Sequence, residues 1–108
     1  MDRLNQLLKL KENKPEDSFI LFALAKEYEK LGCEAESRSF FEQIVKTNPN
    51  YLAVYYHFAK NLINNQNIDK AIPLIQQGIE VAKARQDFKS LSELNTLLSN
   101  ISIEEDEY

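Results

Sequence analysis

Two lysines, Lys26 and Lys60, each follow an aromatic residue by four positions, Phe22 and Tyr56. Ammonium groups with aromatic flanks suit an extended peptide that brings an acidic residue and an apolar anchor. The competing reading leaves both lysines solvated and both rings partly packed. Two further side chains invite a catalytic reading, the single cysteine Cys33 and the single histidine His57. A nucleophile needs a base within hydrogen-bond reach and a third group to orient that base. Cys33 follows Gly32 at a tight turn and His57 sits within a helical stretch, so the sequence assembles no such set. One cysteine and one histidine are also too few for a zinc site, which wants three or four ligands. The other carboxylates are spread along polar helix faces. The sequence contains no phosphate loop, dinucleotide fingerprint or nucleophile elbow. The expectation is a non-enzyme without cofactor or metal, with Cys33 a packed or half-exposed thiol and His57 a groove histidine.

Charge narrows the partners. The chain has 108 residues and a net charge of −4. Residues 1–103 are balanced, and the whole surplus sits in Glu104, Glu105, Asp106 and Glu107. A neutral body lacks the basic stripe that nucleic acid or an anionic membrane surface requires. The longest apolar run, Phe19 to Ala25, is too short to span a bilayer. The start, Met1-Asp2-Arg3-Leu4, shows no secretory h-region. With one cysteine, no internal disulfide forms. The expectations are a cytoplasmic protein, no nucleic acid, no membrane, and a chain that forms a whole small protein.

The elements that would position these residues repeat. Leu21–Tyr28 aligns with Tyr55–Leu62 at an offset of 34, setting Leu24 on Phe58, Ala25 on Ala59, Lys26 on Lys60 and Tyr28 on Leu62. The same step sets Phe41 on Ile75, Val45 on Ile79 and Pro15 on Pro49. Such a period marks helical hairpins that bury their apolar faces by stacking on neighbours. Apolar spacing predicts six helices, over residues 3–13, 16–31, 34–47, 51–64, 68–84 and 88–101. Asp2 and Asn50 are expected N-caps, Pro15 is expected to open the second helix, and Gly32 to close it in the left-handed conformation. Pro73 and Gly78 lie inside the fifth helix; the proline costs a hydrogen bond, and the glycine points to close helix packing. Counting back 34 from Phe41 and Ile44 gives Leu7 and Leu10, so the first helix reads as the second half of a truncated repeat. Residues beyond 86 do not restore the pattern and read as a cap.

Leu24-Ala25, Tyr28, Gly32, Phe41 and Pro49, followed by Phe58-Ala59, Leu62, Ala71 and Ile75, resemble the tetratricopeptide repeat family in residue type and spacing. Leu21 and Tyr55 replace the tryptophan frequent in that family, Ser37 an alanine, Gln66 a glycine and Lys83 the closing proline. The resemblance implies an all-α fold, a short right-handed superhelical stack of antiparallel helix hairpins. It divides a single domain into a half repeat (1–15), two repeats (18–51 and 52–85), a capping helix (86–102) and an acidic tail (103–108). It further implies a concave groove lined by the first helix of each pair. Groove positions are Phe19, Phe22, Lys26 and Glu29, then Ala53, Tyr56, Lys60 and Ile63, with His57 close by. Some members grip a C-terminal carboxylate with lysine, asparagine and arginine residues. The matching positions here hold Phe22, Lys26, His57, Asp87 and Leu91, so that clamp is not expected.

Two functions follow as expectations. The first is a non-catalytic protein–protein interaction module taking a peptide or helix in its groove. The second is a structural or self-associating unit, since so short an array leaves apolar ends that a homodimer would bury. The tail Glu104–Tyr108 reads as a solvated, frayed terminus or as a mobile ligand for the groove lysines.

Overall fold

The computed structural model describes the backbone of residues 2–106 and side chains through Ile101. Six helices follow one another: α1 (Arg3–Asn13), α2 (Ser18–Lys30), α3 (Glu34–Thr47), α4 (Ala53–Asn64), α5 (Ile68–Ala84) and α6 (Phe88–Asp106). No strand occurs among the described residues. The chain forms two compact units, Met1–Val54 and Tyr55–Tyr108.

Local chemistry sets the helix boundaries. The Asp2 carboxylate accepts a hydrogen bond from the Asn5 backbone N–H at 2.8 Å, satisfying a donor that the first turn leaves open. Asp17 does the same for Ile20 at 3.1 Å, so α2 starts at Ser18 rather than at Glu16. A capping carboxylate specifies a helix start more strongly than Pro15 does, and Pro15 lies in the preceding turn. α4 likewise begins two residues later than the sequence implies. The Tyr51 N–H donates to the Asn48 carbonyl, and the Tyr51 carbonyl accepts from Val54, which spends residues 51–52 on a turn. α6 runs to Asp106 rather than to Ile101, so the backbone of Glu104–Asp106 is helical; Glu107 and Tyr108 lie outside the described residues.

Three helices share one C-terminal device. Gly32 has φ +80°, its N–H donates to the Glu29 carbonyl, and the next N–H, from Cys33, reaches back to Tyr28. These two bonds form a Schellman motif, which needs a left-handed residue at its centre. Gln66, one period later, adopts φ 62°, with the same pair of bonds to Ile63 and Leu62. Gln86 ends α5 identically at φ 55°, and Asp87 behind it caps α6 by accepting from Ser90 at 3.0 Å.

In the first unit, α2 is the central helix. Leu7 of α1 joins Ile20, Ala23 and Leu24 in a buried cluster that Leu4, Leu8, Tyr28 and Phe40 flank. The fully buried Ser37 of α3 donates its hydroxyl to the Ala25 carbonyl at 2.8 Å, a small residue against a small residue that lets the helices approach closely. Tyr28 stacks on Phe40 with centroids 5.7 Å apart, and Phe22 meets Phe41 edge-on at 6.2 Å. Asn48 donates to the Ser18 hydroxyl at the far end, which fixes an antiparallel register along the whole pair.

The second unit buries Phe58, Ala59 and Leu62 of α4, Ala71, Ile75 and Ile79 of α5, and Leu94 and Ile101 of α6. Gly78 is where three helices converge. A Cβ there would stand 2.6 Å from the Tyr55 Cβ and 3.2 Å from Leu94 Cδ1. The Tyr55 ring takes up the space, and its hydroxyl accepts from Gln77 at 3.2 Å. One period earlier, the positions of Tyr55 and Gly78 hold Leu21 and Ile44, both fully buried. The two hairpins therefore fill the same layer in opposite ways, with the large side chain on one helix or shared between both.

Leu31 and Leu10 are exposed although apolar. Leu31 is the C-cap residue of α2 and turns outward. Leu10 is 52% exposed, whereas its repeat equivalent Ile44 is 0% exposed.

Candidate peptide-binding faces

Helix spacing places Phe19, Phe22, Ala23, Lys26, Glu27 and Lys30 of α2 on one stripe. With Glu29 and with Arg3 from α1, this stripe lines a cleft of about 450 Å³ in the first unit. The expected groove residues Phe19, Phe22, Lys26 and Glu29 all border it. Phe19 is 69% exposed, an aromatic ring left open at the cleft edge. Phe22 is half-buried, held against Phe41 and, at 5.8 Å, against the Tyr51 ring. It forms the apolar floor.

The charges of this cleft are partly paired. Lys26 Nζ bonds Glu29 Oε1 at 2.9 Å, and Arg3 Nε stands 3.5 Å from Glu27 Oε1. The Lys26–Glu29 pair is partly exposed, and such a pair contributes under about 1 kcal/mol, so an incoming carboxylate can displace or share it at little cost. Arg3 and Lys30 are additions that sequence reasoning missed. Arg3 lies on a helix read only as a truncated half repeat, and Lys30 is not singled out by the sequence reading. The stripe spacing from Phe19 would have found Lys30; only the fold brings Arg3 across.

The corresponding face of the second unit lies on α4. Lys60 Nζ sits 5.6 Å from the Tyr56 ring centroid, and the His57 ring meets Tyr56 edge-on at 5.6 Å. Tyr56, His57 and Ile63 are half-buried and Lys60 is exposed; Ala53, exposed at the start of α4, belongs to the first unit. The four-residue step from aromatic to lysine thus becomes a cation–π contact on one helix, which holds the ammonium over the ring.

Cys33 is half-buried and precedes α3 without a side-chain capping bond. Burial raises the Tyr51 and Tyr55 hydroxyls above their ordinary value of 10.0. The Asp17 charge adds to the rise for Tyr51, while the Gln77 hydrogen bond works against it for Tyr55. No group of three or more histidine, cysteine, aspartate or glutamate side chains among the described residues is placed to hold a metal ion. No described helix is long and apolar enough to cross a membrane.

A family model described as tetratricopeptide repeat matches residues 20–51. Two solved structures of a tetratricopeptide repeat domain protein from Salinibacter ruber are similar over most of their length. The solution NMR structure is 38% identical, covers 80% of this chain and 87% of its own, and superposes with a TM-score of 0.76. The crystal structure is 37% identical, covers 78% of this chain and 93% of its own, with a TM-score of 0.72. No curated protein matches the chain significantly.

Proposed function

The chain belongs to the tetratricopeptide repeat family, and from that premise we propose that it is a non-catalytic interaction module that takes a peptide or helix of a partner protein in the α2 cleft. Domains of this family are generally protein-interaction modules and generally not enzymes. The observation that carries the reading is the cleft itself, with the open ring of Phe19 at its edge, Phe22 as its floor and the ammonium groups of Lys26 and Lys30 on its wall. That combination favours a ligand with an apolar anchor next to an acidic residue. Within the second unit, the Lys60–Tyr56 pair presents an aromatic ring beside an ammonium group on α4. Cytoplasmic localisation belongs to this proposal, because a lone half-buried thiol suits a reducing compartment.

The test is capture of partner proteins on the immobilised protein, beside Phe19→Ser and Lys26→Glu variants whose helicity is checked by circular dichroism. A partner held by the wild type should be weakened about tenfold by either change. Equal retention by all three proteins overturns the α2 cleft as the site. Sedimentation of the wild type as a dimer that captures nothing else supports self-association instead; exposed Phe88 at the head of α6 favours that reading.

A further inference from the structure

α1 is the repeat counterpart of α3, yet it has no counterpart of α2 packed on the same face among the described residues. On α3, that face carries Ser37, Phe40, Ile44 and Asn48. Ser37 bonds Ala25, Phe40 stacks on Tyr28, and Asn48 bonds Ser18. The register of these contacts sets Leu21 level with Ile44, and the second hairpin repeats it with Tyr55 against Gly78. One period earlier, the same positions on α1 are Arg3, Gln6, Leu10 and Lys14. All four are exposed. Leu10, at 52% exposure, is an apolar side chain at the level where Ile44 is fully buried. The face therefore reads as cation, amide, leucine, cation, and its Arg3 end forms the α1 wall of the cleft already described.

Resting on the proposed function of that cleft, we infer that its ligand is an amphipathic helix of a partner protein, which lies antiparallel to α1 and completes the half repeat as α2 completes α3. The chemistry of the occupant follows position by position. Where α2 sets Ser18 beside Asn48, the occupant sets Asp or Glu beside Lys14. Where α2 sets Leu21, it sets a large apolar residue on Leu10. Where α2 sets Ala25 against Ser37, it sets Asp or Glu against Arg3. The pattern is acid, two residues, apolar, three residues, acid, all on one helical face. Arg3 has donors to spare beyond its Glu27 contact, since a guanidinium carries five. Burial of Leu10 under an apolar partner supplies the non-polar part of the affinity, and two flanking charge pairs fix direction and register.

The probe is a fluorescent peptide of residues 17–31 carrying Ser18→Glu and Ala25→Glu, titrated into the full chain and followed by anisotropy. The expected result is saturable binding that Arg3→Glu weakens by about tenfold, and that a peptide with Ala25→Lys restores to the Arg3→Glu protein. Leu10→Ser should weaken it to a similar degree, and circular dichroism checks that both variants stay folded, since Arg3→Glu also removes the Arg3–Glu27 pair. Absence of binding, indifference to Arg3→Glu, or equal binding of a peptide made non-helical by Leu24→Pro each overturns the inference. A wild-type dimer that Arg3→Glu dissociates also overturns it, because a second copy then fills the face. If partners captured through Lys26 bind the Arg3→Glu protein normally, the proposed function stands and the completing helix falls; if capture is indifferent to Lys26 and Phe19, the cleft itself falls.

Discussion

Gly78 illustrates how one residue is decided by competing magnitudes. Alanine in a helix interior is favoured over glycine by about 1 kcal/mol. Here, however, a methyl group would stand 2.6 Å from the Tyr55 Cβ, which is pinned to its own helix and cannot yield without moving backbone. Overpacking of this kind costs about 1–3 kcal/mol, occasionally more. Gly78→Ala should therefore lower the urea midpoint, despite the gain in propensity, and an unchanged or higher midpoint would refute the close approach. The tyrosines make a second residue-scale prediction. Folding holds the neutral Tyr51 and Tyr55 hydroxyls above 10.0. The unfolded chain then releases these protons first, so stability is full below about pH 10 and falls as pH rises beyond it. Urea titrations from pH 8 to 11 should show this decline, and Tyr55→Phe should make it shallower. What the sequence disclosed at this scale was uneven. The reason for Gly78 was readable as packing, and Ser37 as an alanine substitute. That Ser37 would bond the Ala25 carbonyl was not, because a hydroxyl facing outward and one facing a neighbouring helix look identical in one dimension.

At the scale of elements, the helices were legible because their apolar spacing is strong, and α1, α3 and α5 have the boundaries the spacing implies. The errors fell at helix ends. Asp17 outcompeted Pro15 as a start signal, and two successive turns that meet at Tyr51 delayed α4. The C-terminal caps show the opposite case, in which geometry is kept although the expected residue is absent. Gln66 and Gln86 hold φ values of 62° and 55°, a region that costs a side-chain-bearing residue about 1 kcal/mol or more. Gln66→Gly and Gln86→Gly should each raise stability by about 0.5–1 kcal/mol, part of the relief being lost to the greater freedom of glycine in the unfolded chain. Thermal melts of the two single variants and the double variant check this. A loss of stability in either would mean that the glutamine side chain contributes more than the strain costs.

At the scale of the whole molecule, the period of 34 and the residues it aligns pointed to the family, and it was that resemblance, not spacing alone, that named Phe19, Phe22, Lys26 and Glu29 of the α2 cleft. Arg3 could not be named in this way, since a residue on a partial repeat gains a role only once α1 is seen against α2. The paired positions Leu21/Ile44 and Tyr55/Gly78 carry a final consequence, for descent rather than for binding. Each hairpin has its own division of volume between two helices, so the second helix of one cannot replace the second helix of the other without either a collision or a void. Mutational history at this layer is accordingly ordered. A larger residue can enter position 78 only after Tyr55 has shrunk, and duplication of the array preserves the layer only when both helices of a hairpin are copied together.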